Sequence, residues 1–118
     1  GDMKLKLLET ERKMNGYLYK IVERTKTMAL VKVTNLVRNK NLIGYEVWVI
    51  RIAKIPEQWK RGTYLGFDLR EKGPSEAEFG RYGWFYPNEE TARVLFNSQT
   101  LARGTDNLAV EANYSEVG

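Results

Sequence analysis

Neither histidine nor cysteine occurs among the 118 residues, so an imidazole base, a thiolate nucleophile, a Cys/His zinc site and disulfide exchange are all excluded. Carboxylates, cations and aromatic rings are left to do any chemistry. The acids are scattered, without the Asp-x-Asp pair or the Gly-rich loop that would hold Mg²⁺ and phosphate. Asp68 and Glu71 lie close in sequence but show no further ligand for a metal. The expectation is a protein that is not an enzyme and carries no cofactor.

The rings and cations point to binding. Tyr17, Tyr19, Trp48, Tyr82, Trp84 and Tyr86 could stack on unpaired bases, or they could line a sheet-to-helix core, the favoured reading for Trp84 and Tyr86. Lys20, Arg24, Lys32, Arg51 and Lys54 would project from neighbouring strands as a phosphate track. The plainer role for such strand cations is to keep sheet edges apart and the protein in solution. Trp59, Lys60 and Arg61 form a basic aromatic cluster suited to a contact loop, or to capping the end of the sheet. These nine residues (Lys20, Arg24, Lys32, Trp48, Arg51, Lys54, Trp59, Lys60, Arg61) are the candidate nucleic-acid surface.

Charge patterning supports that surface. The formal charge is +4, but Arg12 to Arg61 holds twelve Lys/Arg against three acids, a local +9. From Gly62 onward five cations face nine acids, giving −4. A basic front half attracts phosphate or an acidic protein. No apolar run approaches the ~20 residues of a membrane span, and the amino terminus lacks the apolar segment of a signal peptide. A single cytoplasmic domain over 1–104, followed by a flexible tail over 105–118 that docks at most through Leu108 and Val110, is expected.

The elements that must position these groups follow from periodicity. Asn15-Gly16 between extended segments is a strong hairpin signal, since both residues tolerate positive φ. It predicts strands over about 5–14 and 17–25, with a helix over 5–13 as the competing reading because Leu, Lys and Glu favour helices. Alternation in 17–25 places Tyr17, Tyr19 and Ile21 on one face, and Leu18, Lys20, Val22 and Arg24 on the other. A third strand covers 28–37, and the apolar run 42–53 is a central strand. Short turns between these strands make an antiparallel meander. Glu46 with Arg51 and Glu23 with Lys32 are expected cross-strand ion pairs.

Residues 54–80 are too long for a structureless loop, and alternation over 62–70 predicts an extra edge strand or flap. Ser75 and Glu78 form a capping box around one helical turn. Tyr82, Trp84 and Tyr86 alternate in a strand that Pro87 ends. Asn88 then caps a helix from Glu89 to about Ala102, with Glu89 and Glu90 in its first turn and Ala92, Leu95, Phe96 and Gln99 or Thr100 on its apolar stripe.

Tyr45-Glu46-Val47 with Ile50-Arg51, then Pro74-Ser75, then Phe79, Gly80, Tyr82, Gly83, Trp84, Tyr86, Glu90, Ala92 and Phe96 resemble small uncharacterised proteins of bacteriophages and mobile elements. Those proteins carry a YEV-x-x-IR strand and an FG-x-YGW-x-Y strand-to-helix motif. Asn88 stands where their pattern has Thr. The resemblance spans about half the chain, Leu42 to Phe96. It implies a phage-type accessory protein in a bacterial host, and carries no catalytic residue across.

The fold expected is therefore α+β: an antiparallel twisted sheet of four to five strands with one principal helix on one face. The function expected is binding of nucleic acid, single-stranded or non-specific, through a basic sheet face. The alternative is a protein-interaction module, either a homodimer or an inhibitor of a host protein, with an acidic protein as a further candidate partner.

Overall fold

A computed structural model describes residues 2–38 and 40–104. It is α+β, with eight strands in two sheets and one principal helix. The larger sheet contains β2 (Glu11–Met14), β3 (Tyr17–Arg24), β4 (Met28–Asn35), β5 (Leu42–Val49) and β8 (Gly83–Tyr86), in that spatial order and wholly antiparallel. The smaller sheet has the order β1 (Leu5–Lys6), β7 (Leu69–Lys72), β6 (Arg51–Lys54). There β1 runs parallel to β7, and β6 antiparallel to it.

The meander forms where turn chemistry demands it. Asn15 and Gly16 take φ of 55° and 83°, the two successive positive values of a type I′ turn, and Met14 pairs with Tyr17 across it. Upstream, the single strand expected over 5–14 is two strands in different sheets. The cause is Leu8, which packs against the buried Ala29, Val31 and Ile50 and so pulls the chain away from the hairpin edge. The helical reading of 5–13 is not adopted.

The apolar run 42–53 also divides. Ile50 donates its N–H to the carbonyl of Thr27 at 2.7 Å, and the chain passes there from the larger sheet, as β5, into the smaller one, as β6. The connection beyond it holds short 3₁₀ turns at Glu57–Trp59 and Gly62–Tyr64. The strand expected over 62–70 begins only at Leu69, because positive φ at Gly62 and Gly66 turns the chain twice beforehand. It is the central strand of the small sheet rather than an edge.

The helix α1 (Glu89–Arg103) starts as its cap dictates: Asn88 Oδ1 accepts from the amides of Glu90 and Thr91 at 2.8 and 3.2 Å. Its buried residues are Ala92, Phe96 and Thr100, with Leu95 packed beside them. They meet Met28, Leu30, Tyr45, Val47 and Val49, and Trp84 and Tyr86 join the same cluster, so both rings lie on the core side. Truncating Phe96, 2% exposed, to alanine would cost about 3–5 kcal/mol. The expectations for 105–118, with Leu108 and Val110, lie outside the described residues.

A β-bulge in β3 overturns one part of the alternation. Register shifts between Ile21 and Glu23, leaving Val22 as the extra residue. Arg24 consequently pairs with Ala29 and shares the face of Tyr19 and Ile21, not that of Lys20.

The expected ion pairs are also replaced. Glu23 bonds Arg93 of the helix because the bulge turns it toward α1. Arg51 bonds Glu78, since β6 has left the sheet that holds Glu46.

Candidate functional site

The face of the larger sheet opposite α1 is the floor of a cleft of about 940 Å³. Tyr19 and Ile21 of β3, Glu46 and Trp48 of β5, and Phe85 of β8 supply the floor. One wall is the segment from Lys6 to Glu9 with Arg70, Glu71 and Lys72 of β7; the other is the capped turn from Gly73 to Phe79.

Both walls are tied down by ion pairs. Arg24 grips Glu71 with two bonds, Nη1 to Oε1 at 2.9 Å and Nη2 to Oε2 at 2.8 Å, while the Leu8 amide donates to the same Oε1 at 2.9 Å. Across the cleft, Glu78 accepts from the Ser75 amide at 2.9 Å and from Arg51. The Ser75 amide first, and then the Arg51 guanidinium, hold the Glu78 carboxyl down at about 2. The capping box anticipated at Ser75 thus braces a wall.

The aromatic floor is partly occupied from within. Trp48 meets Tyr19 with centroids 6.2 Å apart, and Tyr19 meets Tyr17 edge-on at 6.5 Å. Gly73 lies so close to the indole that a Cβ there would stand 2.8 Å from Cε3. Phe85, 42% exposed, and Phe79, 38% exposed, have the most open rings around the cleft.

Glu46 is the singular group. It is half-buried, and its Oε1 accepts from Trp48 Nε1 at 2.8 Å. Burial pushes its carboxyl above the ordinary value, and the indole bond pulls only partly back. No cation pairs with it among the described residues.

The nine candidate residues do not form one track. Lys20 and Lys32 are cross-strand neighbours on the sheet face that carries α1, and Lys20 lies 3.8 Å from Glu11. Trp48 alone of the nine lines the cleft, whereas Arg24 and Arg51 are engaged by Glu71 and Glu78. Lys54 ends β6, exposed. Trp59 stacks near Tyr64 and under Arg70, Lys60 bridges Glu57 and Asp68, and Arg61 is exposed on that connection.

The cations that do line the cleft are Lys6, Arg12, Arg70 and Lys72. Arg12 stands directly across from Tyr19. Arg70 stacks 5.5 Å from the Trp59 ring, and its buried Nε has no hydrogen-bond partner. Sequence reasoning missed them because three of the four come from the small sheet and its approaches. Glu46 did leave a signal: it is the one acid within the apolar run 42–53.

No group of three or more carboxylates among the described residues is placed to hold a metal ion. No helix among them is long and apolar enough to cross a membrane. Comparison with protein-family models, curated proteins and solved structures found no match.

Proposed function

We propose that this chain is a non-enzymatic accessory protein of bacteriophage or mobile-element type, working in the cytoplasm of a bacterial host, and that it binds single-stranded nucleic acid. The observation that carries the reading is the sheet face away from α1. It presents Tyr19, Trp48 and Phe85 in a cleft that also receives Arg12, Arg70, Lys6 and Lys72. Rings accept bases of any sequence, and cations take the phosphates. The binding surface proposed is this cleft, with Trp48 retained from the sequence expectation and Lys20 and Lys32 left on the other face.

Fluorescence anisotropy with labelled single-stranded and duplex oligonucleotides tests it. The single strand should bind more tightly, and affinity should fall steeply between about 50 and 200 mM salt. Arg12→Ala and Arg70→Ala should each lower affinity and flatten the salt slope. Binding that ignores both variants would reject the cleft.

One observation favours a second reading, a protein-interaction module. Met14, Val37, Leu42 and Ile43 are exposed at the hairpin end of the larger sheet, where the Leu36 amide donates to the Gly16 carbonyl. Such a patch suits a second copy or a host protein. A dimer mass by light scattering, together with no oligonucleotide binding, would favour it.

A further inference from the structure

Glu46 stands apart from the other acids that reach into this face. Glu71 has Arg24 and Glu78 has Arg51, while Glu9 and Glu76, the other two acids that line the cleft, are exposed to solvent. Glu46 has the Trp48 indole alone. A half-buried carboxylate without a cation is costly to keep ionised, and such groups cluster where a ligand completes them. The indole N–H fixes the carboxylate through Oε1 and leaves Oε2 without a donor. Open rings at Phe85 and Phe79, and the unpaired guanidiniums of Arg12 and Arg70, line the same cleft.

We propose that the cleft takes a guanine nucleotide, with the Glu46 carboxylate accepting from the base and Arg70 and Arg12 meeting its phosphate. This inference rests on the nucleic-acid reading and sharpens it into a base preference. Guanine presents two adjacent donors, N1–H and N2–H, that match the two oxygens of a carboxylate. Thymine and uracil offer one N–H between two carbonyls, whose oxygens would face the carboxylate. Adenine and cytosine place an acceptor beside their amino group, so each satisfies one oxygen and opposes the other. The ring stacks whichever base enters; Glu46 selects among them. The guanine can belong to a single strand or to a free nucleotide, since both carry the same base edge and phosphate.

The test uses the full chain, with labelled oligonucleotides differing only in a central run of dG or dT and, separately, with GMP and UMP. The dG oligonucleotide should bind about ten- to a hundredfold more tightly, the discrimination expected of one bidentate pair. Glu46→Gln, which keeps side-chain size, should erase that preference, lowering dG affinity by at least about tenfold and not lowering that for dT, whose carbonyls no longer face a carboxylate. Arg70→Ala should weaken both oligonucleotides alike. The preference should also fade in mild acid, as Glu46 takes up a proton.

Salt-sensitive binding with equal affinity for dG and dT overturns the inference and leaves the single-strand reading standing. A preference for dG that survives Glu46→Gln overturns Glu46 as its source. GMP binding that Glu46→Gln abolishes, without oligonucleotide binding, supports the guanine site and overturns the single-strand reading. Binding of a Lys/Arg-rich peptide with none of either nucleotide overturns both.

Discussion

Arg24 and Glu71 meet in a two-bond fork that joins the larger sheet to the smaller one across 47 residues of sequence. Glu71 is buried, its side chain 6% exposed, and the same carboxylate holds the Leu8 amide. Three segments distant in sequence thus converge on one side chain. Removing one partner strands the other in a low-dielectric site, which costs more than the pair itself contributes.

Glu71→Ala should therefore destabilise the fold by about 2–4 kcal/mol, read as a lowered midpoint in urea with unchanged slope. The double replacement Arg24→Met with Glu71→Met should cost less than Glu71→Ala alone. Additive losses would show that the pair is not coupled.

Asn88→Ala should cost about 1 kcal/mol, because two amides at the start of α1 lose their acceptor. Asn88→Thr, which keeps a side-chain oxygen able to accept from the same amides, should cost less. Thermal melts followed at a helical wavelength separate the two variants.

Gly44 is fixed by close approach. A Cβ there would stand 2.6 Å from Cζ of Phe85 and 2.8 Å from the Tyr86 carbonyl oxygen. Gly44→Ala should force β8 away from β5 and destabilise by about 1–3 kcal/mol. A near-UV circular dichroism spectrum left unchanged, with an unchanged melting temperature, would contradict this contact.

The Glu78 carboxyl, held at about 2 against an ordinary 4.5, fixes the sign of an acid dependence. A depressed carboxylate stabilises the fold above its unfolded value, and that contribution is lost as the pH falls through the folded one. Stability should thus decline between about pH 4.5 and 2, and Glu78→Gln should reduce the decline in that window. Equal slopes of stability against pH for the two proteins would count against the role of Glu78.

How far the sequence foretold these features depends on how local each one is. The type I′ turn at Asn15 and Gly16, the Asn88 cap, the Ser75 box and the stripe of Ala92 and Phe96 are set by residues a few positions apart, and all were legible. The break at Ile50 was not, because a run that stays apolar across two sheets carries no mark of where it changes sheet. The bulge at Val22 was equally hidden: an inserted residue disturbs alternation without changing composition, and it moved Arg24 to the opposite face. For the same reason the candidate cations scattered. Of the nine candidates only Trp48 lines the cleft, and three of the cleft's four cations, Lys6, Arg70 and Lys72, come from strands that pair across longer separations.

The parallel pairing of Leu5 with Leu69 has a kinetic consequence. Two residues of β1, reinforced by the Lys4 carbonyl accepting from Asp68 and Leu69 at 2.9 and 3.1 Å, close a loop of more than sixty residues with few contacts in return. Such a pairing forms after the hairpins have zipped and parts before they melt. The amides of Asp68 and Leu69 should exchange with solvent faster than those of β4. The Lys4–Lys6 edge of that wall is then expected to arrive late in folding and to open before the part that Leu8 and Glu71 anchor.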